Sequence, residues 1–386
     1  MKTLITIPST NPRLAPARRA AGFSLIELMT AITIGLLILA GLASVFVNSS
    51  NASRELKNAA EQIENGRFAI EMLTQDIRHA GFYGELATLP TAPATAPDPC
   101  AAPTAGAVSN TSNAALALPV QRIVAGSIPT GCASLLTAAN LKAGSDIVVV
   151  RRADTSVVNT ASGGTITGGQ VYLQSSPDGA EIQFGTAGTI SGMQTATGTA
   201  STLQRRDFTT AATGTPPQFP LIAAAIRKYH THIYFVAPCS VPSGGGSVCT
   251  GSSDDQGRPI PTLKRLELGA AGAFSIVPMV EGIEAIRIEY GIDSTPAAVD
   301  PGTGLTGDGL PDSFTNTPSV ADMGMAVAAK VYVLARNTSP TNGYVDDKTY
   351  TMGTYTTTAT NDPYKRHVYG ALTRIANQSG RREIPH

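Results

Sequence analysis

The chemistry of this chain starts at Glu27, a lone carboxylate five residues after Gly22 in an otherwise apolar run of 25 residues, Phe23 to Val47. An unpaired carboxylate is among the costliest groups to place in hydrocarbon, so the role expected of Glu27 is ion pairing with a cationic partner. His230 and His232, in YHTHIYF, lie two apart on a probable strand and share one face, as a metal pair would. No third ligand is identifiable, and alternate polar residues on a strand ordinarily face water. Asp300, Asp308 and Asp312 offer hard oxygens to calcium from a Gly-rich loop. The spacing is not that of an EF-hand, since no Glu closes the loop, and a solvated turn accounts for the same residues. Gly302, Gly304 and Gly307 match G-x-G-x-x-G literally, but the run leads to Pro311 and not into a helix that would receive a pyrophosphate. His79, His367 and His386 form no constellation, and no H-E-x-x-H, G-x-S-x-G or P-loop occurs. The expectation is a non-enzymatic chain without cofactor or metal.

The elements that position Glu27 begin with residues 1–22, which carry Lys2, Arg13, Arg18 and Arg19 and no acid. By the positive-inside rule this segment stays cytoplasmic and everything beyond Val47 is exported. A cleaved signal peptide, with small residues at Gly41 to Ala43, and a plain membrane anchor compete for the apolar run. Neither gives Glu27 a purpose. After Val47 the pattern turns amphipathic: Leu56, Ala59, Ala60, Ile63, Ala69, Ile70, Leu73 and Ile77 recur at spacings of three and four, predicting a buried helical face. Gly81 and Gly84 end it, giving one helix from Phe23 to Ala80 and a head over residues 81–386.

In the head, QRIVAG, DIVVVRR, GQVYLQS, HTHIYFVA, LKRLELG, IEAIRIEYG and AKVYVLARN are β-branched or alternate apolar with polar, as antiparallel strands do. Thr-, Gly- and Ala-rich stretches, above all Thr88 to Pro119 and Thr155 to Gly214, read as loops. The predicted fold class is therefore α+β. With 28 basic and 28 acidic residues and only 15% charged, the chain presents no polyanion-binding surface, so nucleic acid is not an expected partner. Cys100, Cys132, Cys239 and Cys249 contain no C-x-x-C pair, and an exported head would oxidise them to two disulfides. Three connectivities exist. The sequential one is expected, Cys100 with Cys132 and Cys239 with Cys249, because the Gly-rich SVPSGGGSV loop lets its ends meet.

The basic leader, Gly22, Phe23, Glu27 at the fifth place and the apolar run together resemble a type IV prepilin. The resemblance implies cleavage after Gly22 by a prepilin peptidase, N-methylation of Phe23, and a Glu27 that pairs with a Phe23 ammonium, on a neighbour or its own chain, to set register during assembly. In the bland alternative Glu27 sits solvated in the headgroup layer. The segment GRFAIEMLTQDIRHAGFYG, with DIVVVRRAD, MVEGIEAIRIEYGID, AKVYVLARN and YKRHVYGALTRIAN, is similar to PilW-type minor pilins. That similarity implies a pilin-like fold, a long helix packed on an antiparallel β-sheet head with extended loops. It also implies the inner membrane and then the pilus as location. The implied partners are other minor pilins, the major pilin, the inner-membrane assembly platform and a tip adhesin. A J-type minor pseudopilin of a type II secretion system would carry the same leader and helix, and an anchored extracytoplasmic enzyme the same export signal.

Overall fold

The computed structural model describes residues 22–87, 89–101, 114–158, 166–177, 179–185, 203–214, 218–268, 273–294 and 308–383. The chain divides into two units, Met1–Leu56 and Lys57–His386. Helix α1, Leu25–His79, contributes its first part to one and the remainder to the other. Arg78 and His79 in its last turn complement the helix dipole, and Gly81, at φ 75°, supplies the left-handed residue that stops it.

In the first unit, every described residue from Gly22 to Ser49 is exposed. This helix is long and apolar enough to cross a membrane. Within the second unit the buried stripe of α1 is Gln62, Gly66, Ala69, Leu73, Asp76 and Ile77. The stripe corrects the expected face: Ala69, Leu73 and Ile77 are buried and Ala59 and Ile70 half-buried, but Leu56, Ala60 and Ile63 face outward. Gly66 explains the rotation. A Cβ there would lie 2.1 Å from the Tyr369 ring, so only glycine lets the strand side chain cross the helix at this point. One turn earlier, Gln62 Nε2 donates to the Ala335 and Lys365 carbonyls at 3.0 and 2.8 Å.

The strands are β1 (Val120–Ile123), β2 (Ile147–Ala153), β3 (Val171–Ser176), β4 (Gly179–Phe184), β5 (Gln204–Arg206), β6 (Leu221–Ala223), β7 (Ile226–Ala237) and β8 (Thr262–Leu268). There follow β9 (Phe274–Glu281), β10 (Ile283–Ile292), β11 (Ser313–Thr315), helix α2 (Val320–Gly324), β12 (Ala326–Arg336), β13 (Thr349–Met352), β14 (Tyr355–Thr358), β15 (Arg366–Arg374) and helix α3 (Ala376–Arg382). Every strand pairing among the described residues is antiparallel, as the alternating segments predicted. One sheet runs β1-β2-β7-β3-β4, with β8 on β7 and β9 on β8; a second runs β11-β10-β12-β15; and β13-β14 and β5-β6 form two-stranded sheets. Each of the seven expected segments contains a strand, while the span Thr155 to Gly214, expected as loop apart from GQVYLQS, also holds β4 and β5.

Leu73 and Ile77 of α1 meet Val148, Val150 and Tyr234 of the first sheet and Ile286, Ile288, Val331 and Val333 of the second in one apolar core. Across β2, Ile147 and Val149 face a second core with Ile233, Phe235, Leu266 and all four cysteines. Strand β2 is thus buried on both faces, which is why its sequence reads IVVV without alternation.

Candidate assembly site

At the start of α1, the Ser24 amide donates to Glu27 Oε2 at 2.9 Å, and the Glu27 amide donates to Ser24 Oγ at 3.3 Å. This is a capping box: two amides that a helix start leaves without partners are satisfied by each other's side chains. Glu27 therefore has a use inside its own chain, which the charge argument alone missed. The S-x-x-E spacing before an apolar run was the available signal. Thr30 Oγ1 donates to the Glu27 carbonyl at 3.0 Å and Thr33 Oγ1 to that of Met29, so these hydroxyls stay satisfied in an apolar setting. Phe23 is 89% exposed, and a Cβ at Gly22 would meet nothing within 4 Å. Among the described residues, packing therefore places no demand for glycine at position 22. The basic residues of the leader lie outside the described residues.

A second polar cluster ties α1 to the first sheet of the head. Asp76, near the end of α1, accepts from Arg152 Nε (2.9 Å), His232 Nδ1 (2.7 Å) and the Tyr234 hydroxyl (2.8 Å). Burial alone would raise the Asp76 pKa, but the hydrogen bonds and charge of His232, with Arg152 and Tyr234, outweigh it and hold the carboxyl well below the usual range. Next to it, His230 Nε2 lies 3.0 Å from Asp154 Oδ1. Burial lowers the His230 pKa against the opposing pull of Asp154. The two histidines do share a face, with ring centroids 5.5 Å apart, yet each turns a ring nitrogen to its own carboxylate. The arrangement fastens helix to sheet. Asp76 went unrecognised in the sequence because an acid on a helix near its end normally faces water.

The structure joins Cys100 to Cys132 and Cys239 to Cys249, with Cα separations of 5.2 and 5.8 Å. Asp254 braces the second loop by accepting from the amides of Ser243, Thr250 and Gly251. Asp98 beside the first disulfide and Asp254 beside the second approach sulfur atoms that are already oxidised, so these groups offer no thiolate to a metal. Asp308 Oδ1 accepts from the Leu310 amide as a turn-stabilising carboxylate, and Asp312 Oδ2 accepts from the amide and hydroxyl of Ser294, 18 residues earlier in the chain. Asp300, Gly302, Gly304, Gly307 and His386 lie outside the described residues. His79 Nδ1 contacts the Gln75 carbonyl at 2.8 Å, and His367 meets the Tyr369 ring edge-on, with centroids 4.8 Å apart.

Comparison with known proteins matches two parts of the chain. Residues 17–43 match the prokaryotic N-terminal methylation motif, a span that contains Gly22, Phe23 and Glu27. Residues 248–377 match the family of type IV pilus-assembly protein W, a span that contains β8, β9 and the whole second sheet. No curated protein and no solved structure matches the chain. With a methylation motif opening a long apolar helix and the W-type match in a β-rich head, the chain carries the two matches expected of a PilW-type, type IV pilus-related minor pilin.

Proposed function

We propose that this protein is cut after Gly22, methylated on the new N-terminus of Phe23, and assembled with other minor pilins and the major pilin into the complex that primes or caps a type IV pilus. Through the pilus it supports twitching motility, adhesion or DNA uptake. The observation that carries the reading is the pairing of Glu27, at the third position of an apolar and wholly exposed helical segment, with a glycine at position 22 that packing does not require. Cleavage at that glycine frees an ammonium at Phe23. One oxygen of Glu27 holds the Ser24 amide, and the carboxylate as a whole is the anion such an ammonium would seek. Before assembly the chain would sit in the inner membrane with its N-terminus cytoplasmic and its head periplasmic, where the assembly platform and a tip adhesin would meet it. Its role in this reading is structural and not catalytic.

Intact-mass and N-terminal peptide analysis of the membrane-extracted protein tests it. Loss of residues 1–22 with one methyl group on Phe23 is the expected result. An N-terminus near Ser44, or an uncut Met1, would overturn it.

A further inference from the structure

Arg151 of β2 is 1% exposed, and its guanidinium donates from Nη1 to the Leu118 carbonyl at 2.9 Å and from Nη2 to Gln121 Oε1 at 2.5 Å. Both acceptors are neutral. The other two buried arginines among the described residues are neutralised, Arg122 by Asp146 at 2.8 Å and Arg336 by Glu284 at 3.7 Å. Arg151 has no such partner among the described residues; burial disfavours its charge, and the groups that offset this are the phenols of Tyr229, Tyr83 and Tyr290. A guanidinium carries five N–H donors, so donors remain after these two bonds.

Arg151 lines a cavity of about 100 Å³. Tyr229, Thr231 and His232 line it as well, with Val171 and Phe274 supplying apolar wall. The Tyr229 hydroxyl is buried and, among the described residues, has no acceptor at hydrogen-bonding geometry; burial pushes its pKa up to about 12 against the pull of Arg151 and the neighbouring Thr231 hydroxyl, so it stays protonated and able to donate. The two acids on the wall are already committed: Asp98 accepts from the amides of Cys100 and Gly131, and Glu267 is bonded to Arg265. Among the described residues, no negatively charged acceptor is bonded to the Arg151 guanidinium. A buried cation is costly without one, and a planar carboxylate matches the fork of a guanidinium.

We propose that this cavity binds a small free carboxylate, held by the guanidinium of Arg151 with the hydroxyl of Tyr229 as the second donor. The volume suits formate or acetate, and the apolar wall would receive the methyl group of the latter. Binding neutralises the one buried arginine that the described fold leaves without a counter-charge.

The test uses the mature full-length chain in detergent micelles. Its unfolding temperature is titrated with sodium formate and sodium acetate at fixed ionic strength, with sodium chloride as the reference. A saturable rise with the carboxylates that chloride does not reproduce is expected. Arg151→Met should abolish the response. Tyr229→Phe, which keeps the ring and removes only the hydroxyl, should weaken the apparent affinity about ten-fold, the worth of a hydrogen bond to a charged group. A flat wild-type titration, or a rise that chloride matches, would mean that water fills the cavity, and an unchanged response in Tyr229→Phe would mean that the carboxylate binds elsewhere; each overturns the proposal. The Tyr229→Phe arm decides the matter even where Arg151→Met fails to fold.

Discussion

Asp76 gathers three donors from two strands onto one helical carboxylate, and its own burial makes each of them count. Removing the charge leaves Arg152 and His232 facing a neutral group inside a half-closed site. Asp76→Asn should therefore destabilise the head by about 3 kcal/mol, the scale for breaking a buried ion pair. Its pH signature follows from the lowered pKa. A depressed folded-state carboxyl contributes stability that is present above the unfolded value near 4 and is lost as pH falls through the folded value. Urea unfolding from pH 7 to pH 2 should show wild-type stability falling below about pH 4. The Asn variant should start lower and fall less steeply. A variant with the same acid slope as wild type would remove Asp76 from the account of acid sensitivity. At this scale the sequence spoke clearly only where the background was uniform: Glu27 stood out against an apolar run, while Asp76 was one polar residue among many on an amphipathic helix.

Elements were legible where burial on a strand imposed a pattern. β2, β10 and β12 are the buried centres of their sheets, and their β-branched runs announced them. β9, β13 and β14 gave weaker signals for physical reasons. β9 carries Pro278, tolerable because among the described residues the strand pairs only with β8, and β13 and β14 are short Thr- and Tyr-rich arms closed through Gly353 at φ 62°. β15 is interrupted by Gly370, where a Cβ would lie 3.1 Å from the Tyr332 ring, so its alternation breaks at the place where it packs. The same close packing governs the helix–strand crossing at Gly66. Alanine would gain about 1 kcal/mol of helix propensity at this position, but it would force the Tyr369 ring from its place against α1. Gly66→Ala should lower head stability by about 1 to 3 kcal/mol, the usual cost of overpacking. The double variant Gly66→Ala with Tyr369→Ala should recover much of the helix-propensity gain relative to Tyr369→Ala alone. Thermal unfolding of the four members of this cycle checks it. Additive losses would show that the ring and the helix do not compete for the same space.

For the whole molecule, one continuous helix carries two kinds of surface: a bare apolar one to Val47, and a seam that the head fills from Gln62 onward. A helical segment whose residues 22–49 are all exposed makes sense in a filament, where neighbouring helices and buried ion pairs would complete it. Two explanations of Glu27 then compete, the capping box seen in the chain and the pairing with a Phe23 ammonium proposed for the assembly, and they separate by substitution. Glu27→Ala removes both the cap and the charge. Glu27→Gln keeps an oxygen able to accept from the Ser24 amide, as glutamine does in capping boxes, but carries no charge. Loss of the cap alone costs about 1 kcal/mol, and an ammonium left buried without a counter-charge costs about 3 to 5 kcal/mol. Both variants should be cleaved and should remain in the membrane, since neither alters Gly22 or the apolar run. Surface piliation, measured on cells by shearing and immunoblot, should fall for both to a similar degree if charge sets the register. Restoration of wild-type piliation by glutamine would assign Glu27 to the helix start instead, and normal piliation in the alanine variant would remove it from assembly altogether.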